Sequence, residues 1–397
     1  MSTRADYMRD TIYMDNAATS WPKPEETIKA MAEYFHSIGA SPGRSGHRMS
    51  LDAGRIILDA REAVSELFGI ENLLRVAFTK NATESLNIAI SGLLKPGDHV
   101  ITSSMEHNSV MRPLRLMEKR GVELSVIPCS SSGEMDPEDI ARNIKKKTKA
   151  IYLTHASNVT GTIMPISETG KIARERGVIF CVDAAQTAGV IPINVEEMSV
   201  DILVFTGHKS LFGPQGTGGI YIAKGLEKEI DPIMTGGTGS RSEWEEHPDF
   251  LPDKYEAGTA NIIGIAGLNA GIRFIRSVGM EIIREKEASL TAMLLEGLKS
   301  IPGVILYGCT DAEKQTAVVS FNISGLDASQ VAMALDEEFN IMSRPGLQCA
   351  PAAHKTIGTF SAGTVRLSLG YFLEKNDVQS ALIAVEKLTQ RKKGDFL

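Results

Sequence analysis

The chain has 397 residues, carries 42 Lys plus Arg against 49 Asp plus Glu for a net charge of −7, and is 43% apolar. That length exceeds what one hydrophobic core usually holds, so two domains are expected, and the mildly acidic balance without a basic block argues against nucleic acid as a partner. No apolar run is long enough to span a bilayer, no signal-peptide pattern opens the chain, and the four cysteines are widely spaced with no Cys-x-x-Cys, which sets aside membrane, disulfide-framework and zinc classes and leaves a reducing cytoplasm as the expected compartment.

In chain order, residues 12–19 form an extended run that breaks into a small-residue turn, and Pro22 and Pro24 precede a helical stretch at 25–36. A Gly-, Ser- and Pro-rich loop follows, carrying Arg44 and His47, and helical spacing returns over 50–68. Then βα repeats begin. Strands are predicted at 75–79, 99–102, 124–127, 150–153, 178–183, 201–205 and 218–223, with helices at 81–94 and 108–120. Strands alternating with helices imply a largely parallel sheet covered on both faces. The run Lys145-Lys146-Lys147, with Lys149, reads as a solvated helix end. Residues 236–258 are loop-like. A helix at 262–277 leads toward a second unit with strands at 317–323 and 364–369 and helices at 328–339 and 376–388. The boundary falls near 260, with the first twenty or so residues expected on the C-terminal part: a large domain over 20–260 and a small one over 1–19 with 261–397.

Two strands carry the chemistry. Val178-Ile-Phe-Cys-Val-Asp183 ends in a carboxylate, and Asp201-Ile-Leu-Val-Phe-Thr-Gly-His-Lys209 places a lysine just past its strand, where open α/β sheets put their ligand crevice. As parallel neighbours they bring Asp183 and Lys209 to one edge. Such an amine and carboxylate suit pyridoxal phosphate: the amine condenses with its aldehyde and the carboxylate keeps the pyridine nitrogen protonated. The plain alternative for these two residues alone is a loop cap and a turn start. Asn81-Ala-Thr-Glu84 opens a helix, whose free N–H groups and dipole suit a phosphate, with Thr83 adding a hydroxyl; the alternative is that Asn81 is simply an N-cap. His107 follows another strand and offers a flat ring for stacking, against the alternative of a solvated loop histidine. Asn158 ends a further strand, within reach of a phenolic oxygen.

Taken together, Asp15-Asn-Ala-Ala-Thr19, Asn81-Ala-Thr-Glu84, Glu106-His107, Ser157-Asn-Val-Thr-Gly161, Asp183-Ala-Ala-Gln186, Thr206-Gly-His-Lys209, Glu256-Ala-Gly-Thr259 and Val365-Arg-Leu-Ser368 resemble, in this order, the fold-type I pyridoxal phosphate enzymes of the class V aminotransferase and cysteine desulfurase branch. The resemblance implies an α/β fold: a large domain with a mostly parallel seven-stranded sheet and a smaller α+β C-terminal domain. It implies Lys209 as the cofactor-linked lysine, Asp183 at the pyridine nitrogen, and His107 stacked on the ring as a catalytic residue. Asn158 and Gln186 would hold the phenolic oxygen, and Ala82, Thr83, Thr206 and His208 the phosphate. It implies Thr259 reaching the partner's phosphate in a homodimer. It places Ala18, His47, Asn158, Arg344 and Arg366 at the substrate, with Arg366 gripping the α-carboxylate against the alternative of a surface ion pair.

Arg344-Pro-Gly-Leu-Gln-Cys-Ala-Pro351 narrows the choice. Cys129, Cys181 and Cys309 read as buried, inert thiols. Cys349 instead lies on a predicted loop between a helix and a strand, with Arg344 and His354 close in sequence as positive neighbours that favour a thiolate. The segment resembles the catalytic loop of group II cysteine desulfurases and selenocysteine lyases, whose cysteine takes sulfur as a persulfide. Gln348 is a departure, since those enzymes commonly have histidine there. The expected activity is removal of sulfur from L-cysteine to give L-alanine and a persulfide on Cys349, with a sulfur-acceptor protein as a further partner. Selenocysteine lyase, acting on L-selenocysteine, and class V aminotransferase are the alternatives within the family. A non-catalytic scaffold is the alternative outside it, and the intact Lys209 and Asp183 argue against that.

Overall fold

The computed structural model describes residues 11–42, 46–241 and 243–391; Arg44 lies outside the described residues. β1 (Ile12–Tyr13) is followed by α1 (Glu25–Glu33), which widens into a π-helical turn over Tyr34–Ile38, and by α2 (Arg48–Phe68). The alternating part runs β2 (Val76–Thr79), α3 (Ala82–Ser91), β3 (His99–Ser103), α4 (Asn108–Lys119), β4 (Glu123–Ile127), α5 (Pro137–Asn143), β5 (Thr148–Thr154), α6 (Ile166–Arg176), β6 (Ile179–Asp183), β7 (Ile202–Thr206) and β8 (Gly218–Ile222). Then come α7 (Ile262–Val278), α8 (Met280–Ser300), β9 (Val304–Tyr307), β10 (Val318–Ile323), α9 (Ala328–Phe339), β11 (Ile341–Met342), β12 (Arg344–Gly346), α10 (Pro351–Thr356), β13 (Thr364–Ser368) and α11 (Lys375–Thr389).

The large sheet has seven strands in the order β2-β8-β7-β6-β5-β3-β4. It is parallel except for β8, which runs antiparallel to both its neighbours. The sheet is the mixed, mostly parallel one expected. Its central strands are wholly buried, which is why they read as unbroken apolar runs. β3 lies between β4 and β5, so the connections turn opposite ways there and the strand ends open a crevice. β6 and β7 pair in parallel with Asp183 opposite Val204, so Asp183 and the turn after Thr206 leave the sheet at the same edge. No helix fills the crossover between them. It is a chain of turns whose Ile193 and Val195 sink into the core.

One core packs α2, α6 and α7 against one sheet face, and a second packs α3 and α4 against the other. A third is built by α8, β10, α9, β13 and α11, and Met14 joins it from the N-terminal segment. β1 pairs in parallel with β11, and a four-stranded antiparallel sheet runs β12-β13-β10-β9. α7 and α8 meet at 81° around Gly279.

Three local expectations change. The predicted helix at 81–94 ends at Ser91, with Gly92 as its C-cap; the Asp231 carbonyl passes so close to Gly92 that no β-carbon fits there. The predicted loop at 344–351 is shorter: Arg344–Gly346 is an edge strand and Pro351 opens α10, leaving residues 347–350 as the turn. Pro345 is compatible with that strand because an edge position need not donate on its outer side. The lysine cluster follows α5 rather than ending it, and Lys145 and Lys147 both pair with Glu123 at the surface.

Candidate active site

The turn after β7 delivers Lys209. Gly207 must be glycine, since a β-carbon there would come within 2.1 Å of Thr217 Oγ1. The N-terminal segment grips the turn from behind: Thr19 Oγ1 and Lys23 Nζ donate to the His208 carbonyl at 3.0 and 2.7 Å, and Ser20 Oγ donates to that of Lys209 at 2.8 Å. Burial draws the Lys209 amine down to about 8, with nearby Asp183 opposing the shift. Asp183 is buried. Its Oδ1 accepts the Ala185 N–H at 2.9 Å, and burial raises its pKa.

Around this pair lies a cavity of about 210 Å³. Of the residues singled out from sequence, Ala18, Ala82, Thr83, His107, Asn158, Asp183, Gln186, Thr206, His208, Lys209, Arg344 and Arg366 line it. Cys349 is exposed and is not itself among the lining residues, although its chain neighbour Gln348 and its contact Arg344 are. His47 and Thr259 lie elsewhere, exposed on the surface of this chain, where His47 caps α2 by accepting the Ser50 N–H at 3.2 Å.

Asn81 does act as an N-cap, accepting Glu84 N at 2.9 Å, and so leaves the other α3 N–H groups toward the cavity with Thr83. His107 caps α4: its Nδ1 accepts the Ser109 N–H at 3.1 Å, so the neutral ring carries its proton on Nε2. Burial and the cations Lys209 and Arg344 lower His107 to about 4, so it is uncharged at neutral pH. Gln186 Nε2 reaches the Ala17 carbonyl at 3.2 Å.

Arg366 is 1% exposed, so its ion pair with Asp15, at 2.6 Å, is a buried one rather than the surface pair held as the alternative. It also donates to the Asn158 carbonyl at 3.0 Å. Its Nε is buried without a partner, which leaves a donor for an incoming carboxylate. Arg344 faces Arg366 across β12 and β13 and places Nη2 3.6 Å from Cys349 Sγ. His354 is not the positive neighbour its sequence position suggests. It is wholly buried, lowered by burial to about 4 and therefore neutral, and it bonds inward to Gln348. Gln348 and Cys349 both take left-handed φ angles, 40° and 60°, which cost roughly 1–3 kcal/mol at each non-glycine residue and persist only where the surroundings hold them.

Sequence reasoning assigned no role to Asp15 or Glu106, although both stood in the quoted runs. Glu106 accepts the Ser103 hydroxyl at 2.5 Å and the Thr154 N–H, tying the ends of β3 and β5 together, and burial raises it to about 8. A long-range partner for Arg366 was the missing signal for Asp15.

Pyridoxal phosphate fits what is present. His208 Nδ1 is buried and unpaired and lines the cavity with the α3 N-terminus, polar groups suited to a phosphate, while the nearby Thr206 hydroxyl donates to the Thr217 carbonyl at 3.4 Å. Asp183 is a buried carboxylate with room for a cationic N–H partner, and Lys209 is a low-pKa amine one strand away.

Residues 12–381 match the family described as Aminotransferase class-V. A protein of Methanothermobacter thermautotrophicus named "Probable cysteine desulfurase" is 35% identical over 377 residues, 94% of this chain and 93% of that protein. One of Pyrococcus abyssi with the same name is 37% identical, over 96% of this chain and 95% of that protein. The apo structure of a cysteine desulfurase from Thermococcus onnurineus NA1 superimposes with a TM-score of 0.90 at 36% identity, covering 98% of this chain and 99% of that one. With matches of this extent over a cavity built from the same runs, the chain belongs to the class-V aminotransferase family, in its cysteine desulfurase branch.

Proposed function

We propose that the protein is a pyridoxal phosphate-dependent cysteine desulfurase that converts L-cysteine to L-alanine and takes the sulfur onto Cys349. The observation that carries the reading is the exposed Cys349 thiol, 3.6 Å from Arg344, which lines the same cavity as Lys209 and Asp183. In this reading the large domain carries the cofactor, and the small domain, of which residues 11–19 and 261–391 are described, closes over it. Lys209 anchors the cofactor, Asp183 holds a proton on its ring nitrogen, His107 stacks on the ring and Asn158 and Gln186 hold its phenolic oxygen. The α3 N-terminus with Ala82 and Thr83, together with Thr206 and His208, takes the phosphate. When bound, pyridoxal phosphate supplies an electron sink conjugated to the substrate amine.

Arg366 binds the substrate α-carboxylate, with Ala18 and Arg344 lining the same space. Lys209, freed from its anchoring role, takes the proton from Cα. The Cys349 thiolate attacks the substrate sulfur: an S–S bond forms, the Cβ–S bond breaks, and Cβ gains a proton. Atoms balance as cysteine plus enzyme thiol giving alanine plus enzyme persulfide, which an acceptor protein or a thiol then removes. Its exposure suits Cys349 to both tasks. The enzyme works in the cytoplasm, where thiols stay reduced.

The test is incubation of the cofactor-loaded protein with L-cysteine and a thiol reductant. Alanine and sulfide appear in equal amounts; a keto acid without sulfide moves the assignment to a transaminase. Asp183→Asn keeps the cofactor bound, seen by its visible absorbance. It slows deuterium exchange at Cα of L-alanine by about a hundredfold, the low end of a catalytic proton-transfer contribution. Unchanged exchange removes Asp183 from its role.

A homodimer belongs to the same reading. Thr259 and His47 are exposed in the single chain, and Met49 and Leu51 beside His47 are 46% and 54% exposed. The segment ahead of Thr259 is rigidly anchored: Glu256 takes both arms of buried Arg61, at 2.8 and 3.0 Å, and the Phe78 N–H at 2.7 Å. Mixing inactive Lys209→Ala subunits with inactive subunits disrupted at Thr259 therefore regenerates activity, because one site in the mixed dimer has both residues intact. Absence of recovery despite proven subunit exchange rules out a shared site.

A further inference from the structure

The left-handed turn at Gln348 and Cys349 is held by one inward side chain. Gln348 is 3% exposed, and its Nε2 donates to the carbonyls of Arg344 on β12, at 3.2 Å, and Thr364 on β13, at 3.0 Å. With both hydrogens used, Oε1 is the acceptor, and His354 Nε2 lies 2.7 Å from it. That geometry fixes the imidazole tautomer: the proton is on Nε2, and Nδ1 accepts the Thr359 hydroxyl at 2.7 Å. The main chain is pinned as well. Asn158 Nδ2 donates to the Gln348 carbonyl at 2.7 Å, and the Asn108 N–H donates to the Cys349 carbonyl at 2.9 Å, next to His107. His354 and Thr359 do not line the cavity, and Gln348, which does, has its Nε2 committed to the two strands. Their bonds join the turn to β12 and β13, to His354 on α10 and, through His354, to Thr359 in the loop after α10.

We infer that Gln348 and His354, fixed by Thr359, are positioning residues that hold the Cys349 thiol beside Arg344 for the sulfur-accepting step. The amide suits this place because it has two N–H donors and can bond both strands while still accepting from His354; a neutral imidazole has one donor and would have to release a strand. The inference rests on Cys349 being the sulfur acceptor. It predicts that loosening the clamp harms the step that uses the thiol and spares cofactor and substrate binding.

The experiment compares cofactor-loaded wild type with Gln348→Met, Thr359→Val, Cys349→Ala and the Gln348→Met/Cys349→Ala pair. Measured are kcat and KM for L-cysteine, cleavage of L-selenocysteine, and the visible absorbance of the cofactor. Gln348→Met lowers kcat for cysteine by about tenfold or more while KM and absorbance hold within about twofold. Thr359→Val gives a smaller loss of the same kind. Adding Gln348→Met to Cys349→Ala gives no further loss, since the clamp acts only through the thiol. Equal losses on both substrates, multiplying effects in the pair, or wild-type kinetics in Gln348→Met overturn the clamp. If Gln348→Met does not fold, wild-type kinetics in Thr359→Val overturn it instead. A Cys349→Ala enzyme that desulfurates cysteine at the wild-type rate overturns the sulfur-acceptor reading and the clamp with it, an outcome distinct from failure of the clamp alone.

Discussion

Lys209→Ala lowers turnover of L-cysteine by about a thousandfold or more, because on the roles proposed above one change removes both the amine that condenses with the cofactor's aldehyde and the carrier positioned for the Cα proton. The wild type, reduced with borohydride and digested, yields one labelled peptide carrying Lys209, and the variant yields none. The informative control is Lys23. Burial lowers its amine to about 8 too, but it is already committed to Ser20 Oγ and the His208 carbonyl, both at 2.7 Å. A label on Lys23 or any other lysine overturns the assignment. The sign of the pH effect follows from which form reacts. Only the neutral amine attacks an aldehyde, and burial holds Lys209 near 8. Capture of pyridoxal phosphate by the empty protein therefore accelerates as the pH rises toward about 8 and levels off above it. A rate that falls over that interval contradicts the role.

Cys349→Ala separates two substrates. It depresses desulfuration of L-cysteine by at least about tenfold more than cleavage of L-selenocysteine, a difference of about 1.4 kcal/mol in barrier. A thiol leaves carbon poorly, so sulfur needs a nucleophile to receive it. A selenol is more acidic and the carbon–selenium bond weaker, so selenium departs with less help. Rates for both amino acids, with trapping of the persulfide by alkylation, check this. A variant that desulfurates cysteine at the wild-type rate shows that another group receives the sulfur.

The strands that end in Asp183 and Thr206 were legible because strands buried on both faces are continuous apolar runs with abrupt polar ends. Strand direction was not legible. Nothing in Gly218-Gly-Ile-Tyr-Ile222 distinguishes the antiparallel β8 from its parallel neighbours, since side-chain periodicity is the same both ways. The surroundings of Cys349 were harder still. Pro345 and Gly346 disguise an edge strand as loop, and only its pairing with β13 sets Arg344 opposite Arg366. His354 misleads for a related reason. It is five residues from Cys349, but α10 turns it inward, where burial strips its charge. The partner of Arg366 was hidden by distance along the chain, Asp15 being 351 residues away.

That separation bears on how the molecule comes to exist during synthesis. The strand β1 emerges early, yet the residues it pairs with, Ile341 and Met342, are translated only after the whole alternating sheet. The bond from Thr11 to Asn340 alone spans 329 positions. Contacts of such range are slow to close, and a growing chain folds its earlier, more local units first. The seven-stranded sheet can therefore assemble while the segment that will grip the Lys209 turn is still unanchored at its own start. Synthesis thus supplies the strands that carry Asp183 and Lys209 well before Arg366, so the ion pair of Arg366 with Asp15 can close only once β13 has been made.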